Sequence, residues 1–211
     1  MEDKKSVIIL LSIIALIVIA LVVSYFMVNN AKASSDTKIT YNNYVFTKQA
    51  DSTWLLQLSI KNVPYDIPFY YNPTQINNVT IDDNAISEFV HYERSNPGGI
   101  IYMSFDPDQN SKIVIAGVEI ARILGQRYNI FNFDVRSSFY RDSNISNVSA
   151  TGRPIVDCSN ATNTTMIVMM IVDNENRVSA ANNCIVIKSV DVNSSIMVAD
   201  ALSFKILTIT K

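Results

Sequence analysis

The feature that most constrains this chain is the apolar run from Val7 to Val28, VIILLSIIALIVIALVVSYFMV, interrupted only by two serines and one tyrosine. No charged residue lies between Lys5 and Lys32. At about 1.5 Å of rise per residue, a helix over this run is roughly 33 Å long, enough to cross a hydrocarbon core of about 30 Å. The sequence therefore predicts a cytoplasmic tail at residues 1–5, a transmembrane helix at 6–28, a small polar stalk at 29–40 and an extracytoplasmic domain at 41–211. The rival reading is a cleaved signal peptide, because Ala31-Lys32-Ala33 fits an A-x-A site before Ser34. The run exceeds the roughly 7–15 residues that a signal h-region needs, which favours a retained anchor.

Orientation does not follow from the lysines. Lys4 and Lys5 precede the run and Lys32 and Lys38 follow it, so the positive-inside rule gives a tie. Two other patterns break it. The chain has two cysteines, Cys158 and Cys184, whose paired count and separation suit a disulfide in an oxidising compartment. N-x-S/T triplets stand at Asn78, Asn144, Asn147, Asn160, Asn163 and Asn193, each a possible glycan acceptor on translocated chain. Both patterns place the N-terminus inside and the domain outside.

Net charge is −2 and the basic residues do not cluster, so no nucleic-acid partner and no polybasic lipid patch is expected. Only 5 glycines argue against phosphate-cradling loops. A domain of roughly 170 residues buries about 70% of its unfolded surface and needs no metal staple.

Along the domain, Tyr44–Lys48, Thr53–Ile60 and Tyr65–Tyr71 are rich in aromatic and branched residues and read as an antiparallel meander. Lys61-Asn62-Val63-Pro64 is the turn, and Pro68 demotes the third strand to an edge. Asp83–Arg94 reads as a helix capped by Asp83 or Asn84. Ile100–Phe105, Ser111–Leu124 and Asn129–Val135 form a strand, helix and strand, a βαβ unit with parallel strands. Lys112, Glu119 and Arg122 make one narrow polar stripe on that largely apolar helix, and Gly125 suits its C′ position. Arg136 to Arg153 reads as an exposed loop. Thr165–Val172 and Cys184–Lys188 read as further strands, and Asn193–Leu207 as a last helix capped by Asn193. The predicted fold class is α/β (α+β): a transmembrane helix, a β meander, the βαβ unit and a strand-strand-helix in one layered domain.

FDP at Phe105–Pro107, AGVEIARILG at Ala116–Gly125, DCSNAT at Asp157–Thr162, NNCIVIK at Asn182–Lys188 and VADALSFKIL at Val198–Leu207 carry a resemblance. In order along the domain, they are similar to a group of N-terminally anchored single-pass membrane proteins of small archaeal genomes. That group places one cysteine before an Asn-Ala-Thr triplet and another in a later strand, matching Cys158 and Cys184. Its last helix ends in Leu-Gly-Ile where this chain has Leu207-Thr208-Ile209, which affects only the cap. The resemblance implies an extracytoplasmic archaeal setting and supplies no activity.

Candidate site residues are few. Asp106 and Asp108 follow the first βαβ strand, where ligands of open α/β sheets bind, and two carboxylates there suit a cation or acid–base work. Helix capping, with Pro107 at the first helical position, is the commoner use. Glu119 with Arg122 is expected as an exposed i,i+3 ion pair, the functional alternative being a catalytic acid. Asp200 is expected to face solvent. His91, the only histidine, has no neighbouring ligand set for zinc and no G-x-S-x-G elbow for a triad. Trp54, Tyr65, Phe69, Tyr70 and Tyr71 read as a strand core with one wet face rather than a binding face. No catalytic residue, metal or cofactor is assigned. The expected function is a membrane-anchored extracytoplasmic binding or structural domain in a cell-envelope or surface assembly. Its expected partners are the lipid bilayer through residues 6–28 and another envelope protein or a homo-oligomer. The alternative is a small extracytoplasmic hydrolase or transferase using Asp106, Asp108 or Glu119.

Overall fold

A computed structural model describes residues 15–25, 37–142 and 152–210 of the chain. The chain divides into two units, Met1–Lys38 and Ile39–Lys211. In the first, helix α1 spans residues 15–25 with its side chains exposed. The rest of the predicted 6–28 span, the tail and most of the stalk lie outside the described residues. Among the described residues, no helix is long and apolar enough to cross a membrane.

The second unit opens with a four-stranded sheet in the order β1 (Lys38–Tyr41), β2 (Tyr44–Lys48), β3 (Trp54–Ile60), β4 (Val63–Phe69). This is the predicted meander with one added strand, and β2, β3 and β4 pair antiparallel. The turn before β4 is shorter than predicted. Ile60 pairs with Val63, which leaves Lys61-Asn62 alone as the loop. Both residues adopt positive φ, 51° and 65°, as a type I′ hairpin requires. Val63 and Pro64 are therefore strand residues, and Tyr70 and Tyr71 fall beyond the strand. The prolines at 64 and 68 are tolerated because β4 is an edge.

The second sheet runs β5 (Thr80–Ile81), β9 (Arg177–Ala181), β10 (Cys184–Ser189), β8 (Thr165–Val172), β6 (Ile100–Phe105), β7 (Asp134–Phe139). Strands β10, β8, β6 and β7 are mutually parallel, and β9 is antiparallel to β10. The βαβ unit is present, with α3 over Ser111–Leu124 joining the adjacent parallel strands β6 and β7. Its second strand begins at Asp134, not Asn129. Asn129 and Asn132 take φ of 54° and 60°, which breaks any extended run there. Phe131 and Phe133 instead pack against Phe89, with ring centroids 5.2 and 6.1 Å away. Arg136–Phe139, expected in the exposed loop, belong to β7, while residues 143–151 of that loop lie outside the described residues. Strand β5 is only two residues long and β9, RVSAA, carries one branched residue, so neither announces itself.

Helices α2 (Asp83–Ser95), α3 and α4 (Ser194–Ile206) cover one face of the second sheet. Val198, Ala199, Leu202 and Ile206 of α4 join that core, while Met197, Ala201 and Phe204 on its other side join the meander core of Phe46, Leu56, Ile67 and Phe69. The domain thus has three layers: meander, helices, mixed sheet. A helix buried on two faces needs apolar residues nearly all round, and α4 has them.

Three helix ends differ from expectation. Asn193 makes no side-chain cap; Asp191 accepts from the amides of Asn193 (2.8 Å) and Ser194 (2.7 Å) instead. The residue at the cap of α2 is Asp82, whose carboxylate is held by Arg177 at 3.0 Å. Gly125 ends α3 with φ −87°, outside the left-handed region. A Cβ there would lie 2.8 Å from the Ala121 carbonyl oxygen, which is what requires glycine.

Candidate functional site

Asp106 and Asp108 do not cap α3, because the helix starts four residues after Pro107 and Asn110 caps it through Lys112 N–H at 3.0 Å. Both carboxylates converge on one cation. Arg141, just beyond β7, reaches Asp106 Oδ1 at 2.6 Å and Asp108 Oδ2 at 2.9 Å. Tyr140 donates its hydroxyl to Asp106 Oδ2 at 2.9 Å, and Asp108 N–H donates to Asp106 Oδ1 at 2.9 Å. Burial, then the adjacent carboxylate, pushes the Tyr140 hydroxyl up to about 12. The cluster ties the ends of β6 and β7 together. It is an ion-pair network in which both Asp106 oxygens and Asp108 Oδ2 are engaged.

Glu119 is elsewhere and is not an exposed ion-pair partner. It is 8% exposed and pairs with Arg122, whose guanidinium also donates to the Pro68 carbonyl and stacks 5.7 Å from the Phe69 ring. Asp200, expected in solvent, is wholly buried in α4 and accepts from Tyr71 N–H at 2.8 Å. Two of the three stripe residues of α3, Glu119 and Arg122, thus face inward, toward β4 and α4, while Lys112 stays exposed and donates to Asn193 Oδ1 at 2.6 Å. Burial raises the Asp200 carboxyl well above its ordinary range, with nearby Glu119 adding to the rise. Burial also raises Glu119, against the pull of Arg122. Glu119 balances the Arg122 charge, and burial favours the neutral form of Asp200. Asp106, Asp108 and Glu119 therefore form two separate sets. Tyr140 joins the first and Asp200 the second, and sequence spacing links neither to its partners.

His91 is exposed on the rim of a polar cleft of about 270 Å³ shared with Asn96, Asn163 and Asn183. No hydrogen bond joins it to a carboxylate or hydroxyl among the described residues. The aromatic set is split: Trp54 and Phe69 are buried, whereas Tyr70 is 45% exposed. Among the described residues, no group of three His, Cys, Asp or Glu is arranged to hold a metal ion.

Cys158 and Cys184 form the disulfide, with Cα atoms 5.3 Å apart. It pins the turn Cys158–Asn160 to the start of β10, on the sheet face opposite the helices. Asn78, Asn160, Asn163 and Asn193 are exposed; Asn144 and Asn147 lie outside the described residues.

The opposite side of α3 is the unexpected surface. With Glu119 and Arg122 turned inward, the helix presents Val114, Ile115 and Val118 to solvent at 36%, 38% and 55% exposure. A groove of about 220 Å³ runs between this ridge and β7, floored by Met103, Phe105 and Val135. β7 is an outer strand of its sheet. Comparison of the chain with protein-family models, with curated proteins and with solved structures finds no match.

Proposed function

We propose that this protein is a membrane-anchored extracytoplasmic interaction domain, a component of a cell-envelope or surface assembly. The observation that carries the reading is the apolar ridge of α3 beside the outer strand β7. Contiguous exposed apolar surface next to a sheet edge is what a protein–protein contact uses. The disulfide supports an oxidising compartment, and the apolar run 7–28 supports a retained single-pass anchor with the N-terminus inside. The likeness to anchored archaeal proteins agrees with that setting, and the four exposed sequons are proposed glycan acceptors. The carboxylates that hydrolysis would need are engaged by Arg141 and Arg122, so chemistry is the weaker reading.

A photo-crosslinking residue such as benzoylphenylalanine at position 118 of the full chain tests this. Illumination of intact membranes is expected to give a covalent product heavier than the 23.6 kDa chain. Absence of any such product from position 118, and from position 114 as well, overturns the reading.

A further inference from the structure

We infer that the occupant of this face is a second copy of the chain, joined by antiparallel pairing of two β7 strands about a two-fold axis. This rests on the interaction-domain reading and specifies its partner.

Among the described residues, two of the four sheet edges are blunted, β4 by Pro64 and Pro68 and β5 by having only 2 residues; β1 has 4 residues and lies in the meander sheet, away from the α3 ridge. Prolines and brevity are the usual protections against edge pairing. β7 has no proline and the apolar ridge beside it, and Asp134–Arg136 are the part of its 6 residues that the self-pairing uses.

The free hydrogen-bonding groups of β7 can be read from those in use. Asp134 and Tyr140 donate inward, to Gly99 and Phe105 at 3.0 Å each. Phe139 points outward, donating to Pro154 at 3.1 Å and accepting from Val156 at 2.7 Å. Strand alternation then turns the N–H and C=O of Val135 and Ser137 outward. Among the described residues, no backbone group bonds them.

Charge selects the register. Asp134 and Arg136 lie on one face of the strand, both 47% exposed, and pair with each other at 2.5 Å. If Val135 faces Val135 of the second copy, Asp134 of each strand faces Arg136 of the other, giving two cross-strand ion pairs. Shifting the pairing so that Val135 faces Ser137 sets Arg136 against Arg136. The first register also makes Val135 an outward-facing hydrogen-bonded pair, which exchanges two backbone bonds. It puts Val135 of both copies on the helix side, where Val118 of each α3 flanks the axis. The left-handed Asn132 turns the chain out of strand geometry just before β7, so the second copy leaves the edge before it would meet Pro154.

The test uses the full chain in mild detergent. Asp134→Arg and Arg136→Asp each set like charges across the axis, and each homodimer is expected to weaken at least about tenfold. An equimolar mixture of the two variants is expected to dimerise again. One chain then carries arginine at both 134 and 136, the other carries aspartate at both, and every cross-strand pair is of opposite charge. The within-strand pair is broken in both variants and cannot explain that rescue. Val135→Cys is expected to form an intermolecular disulfide, since hydrogen-bonded partners place their Cα atoms about 5.5 Å apart. Ser137→Cys, displaced along the strand from its own copy, is expected not to. A monomeric wild type, no rescue in the mixture, or no crosslink from Val135→Cys overturns the inference. If photo-crosslinking from position 118 yields a product other than the doubled chain, the self-pairing fails and the interaction reading stands. No product at all removes both.

Discussion

At the residue scale, asparagine takes the turn positions that glycine fills in most chains. Asn42-Asn43, Lys61-Asn62 and Asn182-Asn183 are three hairpin turns with both central residues at positive φ. Asn tolerates the left-handed region because its short amide can bond locally, whereas Lys61 at 51° carries a steric cost of about 1 kcal/mol. Replacing Lys61-Asn62 by Asn-Gly is expected to stabilise the domain by about 1 kcal/mol, read as a rise of about 2–4 °C in thermal midpoint. No rise would mean that the turn is not limiting. Gly117 shows the opposite constraint. A Cβ there would strike the Phe105 ring, so Gly117→Ala is expected to cost about 1–3 kcal/mol despite alanine's helix propensity. Asp200 carries the pH signature. Its carboxyl is raised in the folded state, so the folded protein favours the protonated form. Below the unfolded value near 3.8 the group is neutral in both states; as pH rises, the unfolded chain ionises first and stability is lost until the folded group titrates. Asp200→Asn keeps an acceptor for Tyr71 and is expected to remove that loss. Its advantage over wild type in chemical denaturation should be absent at about pH 3, below the unfolded value, and grow toward neutrality. A pH-independent difference would show that burial does not control this carboxyl.

At the element scale, the sequence and the structure agree on the bounds of α3 and part company on which residues it turns inward. Helix α3 occupies the predicted Ser111–Leu124, yet Glu119 and Arg122 of its polar stripe lie inside and its valines outside. Periodicity locates a stripe but cannot say whether partners for a buried arginine wait across the layer. Here Arg122 is met by Glu119, the Pro68 carbonyl and Phe69, partners 3 to 54 residues away in sequence. The same limit hides the site. Asp106 and Asp108 are legible as neighbours at a strand end, but Arg141 sits 35 residues from Asp106, beyond a strand that starts later than its apolar pattern suggests. The meander, the βαβ order, the last helix and the cysteine pair are legible because each has a local signature. β5 and β9 are not, since two residues at an edge and the run RVSAA depend on neighbours for their pairing. The disulfide offers a direct check on the element it pins. It closes a separation of 26 residues, so Cys158→Ser with Cys184→Ser is expected to cost about 3.5 kcal/mol in the chain-entropy model. A loss under about 1 kcal/mol would show that the covering segment stays docked without it.

At the scale of the whole molecule, the layered domain buries one charged cluster and exposes the apolar ridge of α3. Glu119 and Asp200 are buried between the meander and the mixed sheet with Arg122 beside them, while the α3 ridge and the outer edge of β7 at Val135 and Ser137 stay open. A free-diffusing domain with that surface is prone to edge pairing. Tethering confines copies to a plane and raises their effective concentration, so a modest contact suffices for assembly. The proposed anchor and the proposed dimer therefore support one another, and both depend on the domain lying outside. Orientation can be measured in intact cells with a membrane-impermeant maleimide. A cysteine replacing the exposed Ser87 of α2 is expected to label, and one replacing Asp3 is expected to label only after lysis. Cys158 and Cys184 should remain unlabelled until reductant opens their bond. Labelling of position 3 with protection of position 87 would invert the molecule. It would leave the disulfide in a reducing compartment, where a structural bond of this kind is rarely kept.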